Sequence, residues 1–199
     1  MSQKLNLSIR YWLLGKGYHV ALKALEYGAK FHTGTRKDLI TPEYNHQLGI
    51  AAYIRTLINS LLFPQETLAV AFLHDVCEDY DVGFEEITTK FSNEISGAVK
   101  LLTKKHRGEK LSTEEYYRNI SKNPIASVVK GADRINNVQT MIDVFTPDKI
   151  NLYIQETENS VIPMLKSARR EFVEQEPVYE NIKLVLRSQI ELIRAVVKK

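Results

Sequence analysis

Cysteine occurs only once, at position 77, so no disulfide can close within the chain. That excludes a disulfide scaffold and points to a reducing compartment. Long apolar runs are missing too. The longest is Leu68 to Leu73, far short of the ~20 residues a membrane-spanning helix needs. The first residues, Met1 to Asn6, contain no signal-peptide core. There is no Gly-rich linker, internal repeat, low-complexity tract or alternating strand segment of useful length. Charge of one sign is not in large excess: 27 Lys and Arg stand against 24 Asp and Glu, a net +3. So small a surplus does not argue for nucleic acid. What remains is an expected cytoplasmic, soluble protein with no membrane partner and no nucleic-acid partner. Its 199 residues, 44% hydrophobic and 26% charged, suit one globular domain with a full core.

Helical periodicity fills most of the chain. Leu22, Leu25, Tyr27 and Ala29 fit an amphipathic helix over about Tyr18 to Phe31, and Leu48 to Ile58 fit another over about Tyr44 to Asn59. Pro64 suits the first turn of a third helix that runs apolar to Leu73. Helices are expected over Phe84 to Phe91, Asn93 to Thr103, Thr113 to Lys122 and Ile125 to Ile142. Ser112 and Glu115 have capping-box spacing. Thr146-Pro147 begins a long helical pattern that Pro163 should kink, and Pro177 opens a last helix to about residue 197. The expected fold class is all-α: a single helical-bundle domain spanning 1–199, its motif-bearing core at about 18–170.

One segment departs from this pattern. The apolar helix through Phe72-Leu73 runs into His74-Asp75-Val76-Cys77-Glu78-Asp79. Four ionisable groups at the end of a buried helix need a partner, because burying them unpaired costs several kcal/mol. A divalent cation accepts imidazole and carboxylate together. A His-Asp pair alone is more often a helix cap, and Glu78 to Asp81 alone an acidic surface loop. Two further positions argue against that reading. His46 opens an apolar helix. Asp133 sits within a helix among Val128, Val129 and Ala132, where an aspartate is disfavoured. Arg134 cannot be its partner, because neighbours on a helix do not face each other. His46, His74, Asp75 and Asp133 together make a mixed nitrogen and oxygen set suited to manganese, iron, cobalt or zinc.

These motifs resemble the HD phosphohydrolase superfamily, with its H…HD…D signature, and more closely the hydrolase domain of the RelA/SpoT proteins. By size the chain is similar to the stand-alone small alarmone hydrolases. The likeness runs from about Tyr27 to Leu165. His32-Thr33-Gly34-Thr35-Arg36-Lys37 looks like the H-x-G-x-x-R-K segment, and Thr41 to His46 is similar to the P-Y-x-x-H segment. Ala71 to Asp79 resembles the A-L-L-H-D-x-x-E-D core. Ala132-Asp133-Arg134-Ile135-Asn136-Asn137, with Thr140, looks like A-D-R-L-x-N…T; Glu156-Thr157 and Pro163 resemble the later E-T…P. The family usually has His where Asn136 stands, often Arg at Gln139 and Tyr at Val161; the first two positions lie near its nucleotide pocket.

The resemblance implies an HD-domain bundle that hydrolyses the 3′-pyrophosphate of ppGpp or pppGpp, a stringent-response alarmone, with one divalent metal, manganese by preference. It implies metal ligands His46, His74, Asp75 and Asp133. Glu78 and Asp79 become the catalytic pair that handles water and proton. Arg36, Lys37, Asn137 and Thr140 become contacts to the nucleotide substrate. Alternatives are another nucleotide, such as ppApp or NADPH, and a non-catalytic nucleotide-binding module. His32 is expected to support the site rather than ligate, and His19 to lie on the surface. The charged run Lys104 to Lys110 is expected to be a solvated loop, with a substrate-touching flap as the other reading. Cys77 has no neighbour that would activate its thiol. The sequence leaves the oligomeric state open.

Overall fold

The computed structural model describes residues 2–106, 108–142 and 144–197. In chain order the helices are α1 (Ser2–Lys16), α2 (His19–Gly28), α3 (Asn45–Thr56), α4 (Pro64–Leu73), α5 (Val76–Asp79), α6 (Phe84–Lys90) and α7 (Asn93–Leu102). After a two-residue hairpin, β1 (Lys105–His106) and β2 (Glu109–Lys110), come α8 (Thr113–Ile120), α9 (Pro124–Gln139), α10 (Pro147–Glu156), α11 (Ile162–Glu171) and α12 (Glu176–Val197). The all-α expectation holds. The hairpin pairs Lys105 with Lys110 and His106 with Glu109. The charged run thus carries a short two-stranded ladder; its Arg107 lies outside the described residues.

The bundle is organised around α4. Every residue from Thr67 to Leu73 is buried, because α2, α3, α7 and α9 pack around it. A helix apolar on all sides can be stable only when so enclosed. Gly28 permits the closest of these contacts: a Cβ there would stand 2.4 Å from the Phe72 carbonyl oxygen. Polar punctuation matches the expected starts. Ser112 Oγ accepts from Glu115 N at 3.2 Å, Thr146 caps α10, and Asn123 Oδ1 accepts from Ile125 and Ala126 N ahead of α9.

Three local features go beyond the sequence reading. Ser2–Lys16 form α1, whose pattern of Ile9 and Leu13 facing in, with Leu7, Tyr11 and Leu14 exposed, is too weak to announce a helix. The segment after His74 does not leave the helical region: Asp79 N bonds to Asp75 O at 2.9 Å. Before Pro163 the helix widens into one π-type stretch, Thr157–Val161, with Ile162 N bonding Thr157 O. Proline lacks the donor a regular turn would use, and the wider turn absorbs the loss.

A buried amide ties α12 to the rest. Gln175 Oε1 accepts from Leu62 N at 3.0 Å, and its Nε2 donates to Pro124 O at 3.0 Å and Tyr179 Oη at 2.8 Å. Gln175→Leu takes the acceptor from Leu62 N–H and one donor each from Pro124 C=O and Tyr179 Oη. The expected loss is about 2–4 kcal/mol of unfolding free energy, read by urea denaturation. A loss under about 0.5 kcal/mol would mean these groups find water instead.

Candidate functional site

A cleft of about 580 Å³ opens between α3, α4–α5, α9 and α10. Its walls carry all ten residues singled out from the sequence: His46, His74, Asp75, Asp133, Glu78, Asp79, Arg36, Lys37, Asn137 and Thr140. Among the described residues, His46, His74 and Asp75 are the group of three whose ligand atoms all fall within 4.8 Å of one another.

Local structure explains the convergence. His46 occupies the first turn of α3, where its side chain enters the bundle. His74 and Asp75 stand at the break between α4 and α5, Asp75 at φ −99° and ψ −10°. The break turns two adjacent side chains toward one point: His74 Nε2 lies 3.0 Å from Asp75 Oδ2. His46 Nε2 lies 4.0 Å from that oxygen and 3.2 Å from Asp133 Oδ1. His74 Nδ1 donates to Ala71 O at 3.0 Å, so in the neutral imidazole Nε2 bears the lone pair. That nitrogen is buried without a hydrogen-bond partner among the described residues. Two imidazoles and a carboxylate aimed at one point, one of them with an orphaned nitrogen, fit one divalent cation. The imidazole pair also excludes an all-oxygen magnesium or calcium cage.

Asp133 is held on three sides. Lys130 Nζ pairs with its Oδ2 at 2.9 Å, Asn137 Nδ2 donates to its Oδ1 at 2.6 Å, and His46 Nε2 faces Oδ1. Burial alone would raise this carboxyl, but the Lys130 ammonium beside it holds it well below the carboxylate range. Burial would likewise depress His74; the Asp75 carboxylate reverses that and lifts it to about 9, while His74 brings Asp75 down to about 2 against its own burial. Asp79 moves the other way, up to about 6, through burial first and then the charges of Asp75, Glu78 and Glu43.

Glu78 is anchored: its Oε2 accepts from Lys104 N at 2.8 Å, fixing the carboxyl against the start of the hairpin. Across the cleft, Arg36 and Lys37 sit on a loop closed by the bridge between Thr35 and Pro42. Arg36 Nη2 donates to Asn137 Oδ1 at 3.3 Å. Lys37 Nζ lies 5.1 Å from the Phe145 ring centroid. Burial, Lys149 and Arg36 together lower the Lys37 ammonium's pKa. Thr140 is exposed, and its hydroxyl donates to Asn136 O at 3.0 Å. Asn137 has both amide ends engaged, linking Arg36 to Asp133.

Sequence reasoning passed over three residues that the site uses. Lys130 is three residues before Asp133 on one helix face, a spacing that could have flagged it. Gln47 Nε2 reaches Asp75 Oδ2 and His32 Nε2, both at 3.3 Å. Glu43 accepts from Tyr80 Oη at 2.8 Å and faces His32 Nδ1 at 3.6 Å. His32 therefore lies behind the ligand set, as expected, and burial holds its pKa below the ordinary value. Asn136, placed by resemblance near the nucleotide pocket, accepts instead from His46 Nδ1 at 2.7 Å.

Comparison with known proteins agrees with this geometry. A family model described as an HD domain matches residues 24–159. A probable guanosine-3′,5′-bis(diphosphate) 3′-pyrophosphohydrolase of Synechocystis is 28% identical over 150 residues, 71% of this chain and 19% of its own. A guanosine-3′,5′-bis(diphosphate) 3′-pyrophosphohydrolase of Aquifex aeolicus is also 28% identical, over 71% of this chain and 20% of its own. The chain thus spans about a fifth of the length of these relatives. A solved structure, described as a metazoan orthologue of SpoT that hydrolyses ppGpp and plays a role in starvation responses, superposes with a TM-score of 0.58. It is 22% identical and covers 81% of this chain and 94% of that one. Its likeness is one of fold.

Proposed function

The chain belongs to the HD-domain family, and from that premise we propose that it is a metal-dependent hydrolase of guanosine alarmones. The reaction adds water across the 3′-diphosphate ester bond of ppGpp or pppGpp and yields GDP or GTP with pyrophosphate. The observation that carries the reading is the meeting of His46, His74 and Asp75 on one point of a cleft lined with basic groups. Both pyrophosphohydrolase relatives support the substrate by their names.

His46, His74 and Asp75 would hold the ion, with Asp133 as the fourth ligand. Manganese suits a set of two imidazoles and two carboxylates. A bound ion of this kind neutralises phosphate charge and acidifies water from a pKa of about 16 toward 7. The chain's own residues do the rest. Glu78, pinned by Lys104 N, orients the attacking water, and Glu78 and Asp79 together take and pass on its proton. Arg36 and Lys37 counter the phosphate charge from the opposite wall, and Arg36 can also lie flat on a purine. Asn137 keeps Arg36 in register with Asp133.

A substrate panel with manganese-loaded protein tests this. Pyrophosphate should be released from ppGpp at least about tenfold faster than from ppApp, and NADPH should be turned over more slowly still, a difference of ~1.4 kcal/mol or more in transition-state binding. No release from ppGpp sinks the guanosine reading, and preferential loss of phosphate from NADPH replaces it.

A further inference from the structure

We infer that Asn136 is a positioning residue for the metal centre: it fixes the tautomer and the ring plane of His46, and Gly49 is the gap in α3 that lets it do so. The inference rests on His46 being a ligand, as argued above, and adds to it the residue that makes His46 competent.

The geometry is specific. His46 Nδ1 and Asn136 Oδ1 are 2.7 Å apart. A carboxamide oxygen only accepts, so His46 must carry its proton on Nδ1. Nε2 is then the lone-pair nitrogen, and Nε2 is the atom directed at Asp75 and Asp133. With the proton on the other nitrogen, an N–H would point into the ligand set and no cation could be bound there. Histidine ligands are generally oriented this way by a partner on the opposite ring nitrogen. For His74 that partner is the Ala71 carbonyl, part of its own helix turn. His46 is in the first turn of α3, where the carbonyl three residues back, Glu43 O, accepts from the His46 backbone N–H. Its partner comes from α9, three residues beyond Asp133 and hence on the same helix face.

Such reach across two packed helices needs room. Gly49 lies three residues beyond His46 in α3, and a Cβ built there would stand 2.6 Å from Asn136 Nδ2. Glycine in mid-helix is otherwise a disfavoured choice. Here it removes the one methyl group that would push the amide off the imidazole. Asn136, Gly49 and His46 therefore form one device, divided between two helices.

The test uses the 199-residue chain and two readouts that involve no substrate: the ring 15N shifts of His46 in metal-free protein, and Mn2+ affinity by calorimetric titration. Asn136→Ala should move His46 away from the Nδ1–H form and weaken Mn2+ binding about 10- to 100-fold. Asn136→Asp keeps an acceptor and should restore both. Gly49→Ala should reproduce the Asn136→Ala effects, although alanine ordinarily favours a helix. If Asn136→Ala does not fold, Gly49→Ala against Asn136→Asp decides the matter. Unchanged tautomer with Mn2+ affinity within twofold of wild type overturns the inference. So does weakened binding with the tautomer unchanged, since the loss would then be one of packing. A wild-type chain that binds no Mn2+ overturns it together with the ligand assignment. Failure to release pyrophosphate from ppGpp, with these readouts as expected, sinks the substrate reading alone.

Discussion

Replacing His74 by alanine is expected to strip the divalent ion from the chain and to slow pyrophosphate release by about a thousandfold or more. His74 meets its surroundings through Nε2, 3.0 Å from Asp75 Oδ2, and through Nδ1, which donates to Ala71 O, so its removal opens the ligand set and breaks only these two contacts. Losing the ion's electrostatic contribution, several kcal/mol, corresponds to roughly three decades in rate. Metal analysis and a pyrophosphate assay on the same sample check both halves. A variant that keeps stoichiometric metal would remove His74 from the ligand set. The pH dependence has a definite sign. In the metal-free protein His74 is raised to about 9, so at pH 7.5 it is charged and must lose a proton to bind the ion. Affinity should therefore rise with pH toward about 9, and calorimetry in buffers of different ionisation enthalpy should register proton release. By the same linkage, the stability that the His74–Asp75 pair lends the metal-free fold is fully present below the unfolded histidine value, near 6.5. It is lost as pH rises through about 9.

Glu78→Gln should abolish turnover and leave the metal in place. The substitution is nearly isosteric, and a glutamine carbonyl can still accept from Lys104 N, so the hairpin keeps its anchor. What disappears is the negative charge and proton affinity of the carboxylate. Removing a positioned general base costs about 10²- to 10⁴-fold. Metal content and melting temperature should match the parent. Activity within about threefold of wild type would transfer the water-handling role to Asp79, whose carboxyl is pushed up to about 6. A parent chain that binds nucleotide and manganese yet turns over nothing would favour the non-catalytic module.

Much of the fold is legible along the chain because helix signals are local. Pro64, Pro124, Pro147 and the Ser112 cap mark helix starts to within a residue or so. Helix ends were read too long: α2 stops at Gly28 rather than Phe31, and α9 at Gln139 rather than Ile142. Apolar residues past each end, Ala29 and Phe31 after α2 and Met141 and Ile142 after α9, prolong the pattern. The helix α1 escaped notice because its inward positions are few. The π-type turn before Pro163 was legible as a break, though its form depends on how α10 and α11 each dock.

The site divides along similar lines. Residue types and short spacings marked out His46, His74, Asp75, Asp133 and the Glu78-Asp79 pair, because unpaired ionisable groups on apolar helices carry an energetic cost that is visible in any sequence. No spacing could reveal which distant groups hold them. Gln47 between His32 and Asp75, and Asn136 behind His46, are contacts made between segments distant in the chain. Chemistry of the ligands is thus written in the order of the amino acids, since it depends on side-chain identity and burial. Orientation, tautomer and the tilt of each ring follow from how α3, α4 and α9 pack. Those depend on distances of a few tenths of an ångström that arise only when the whole bundle has closed.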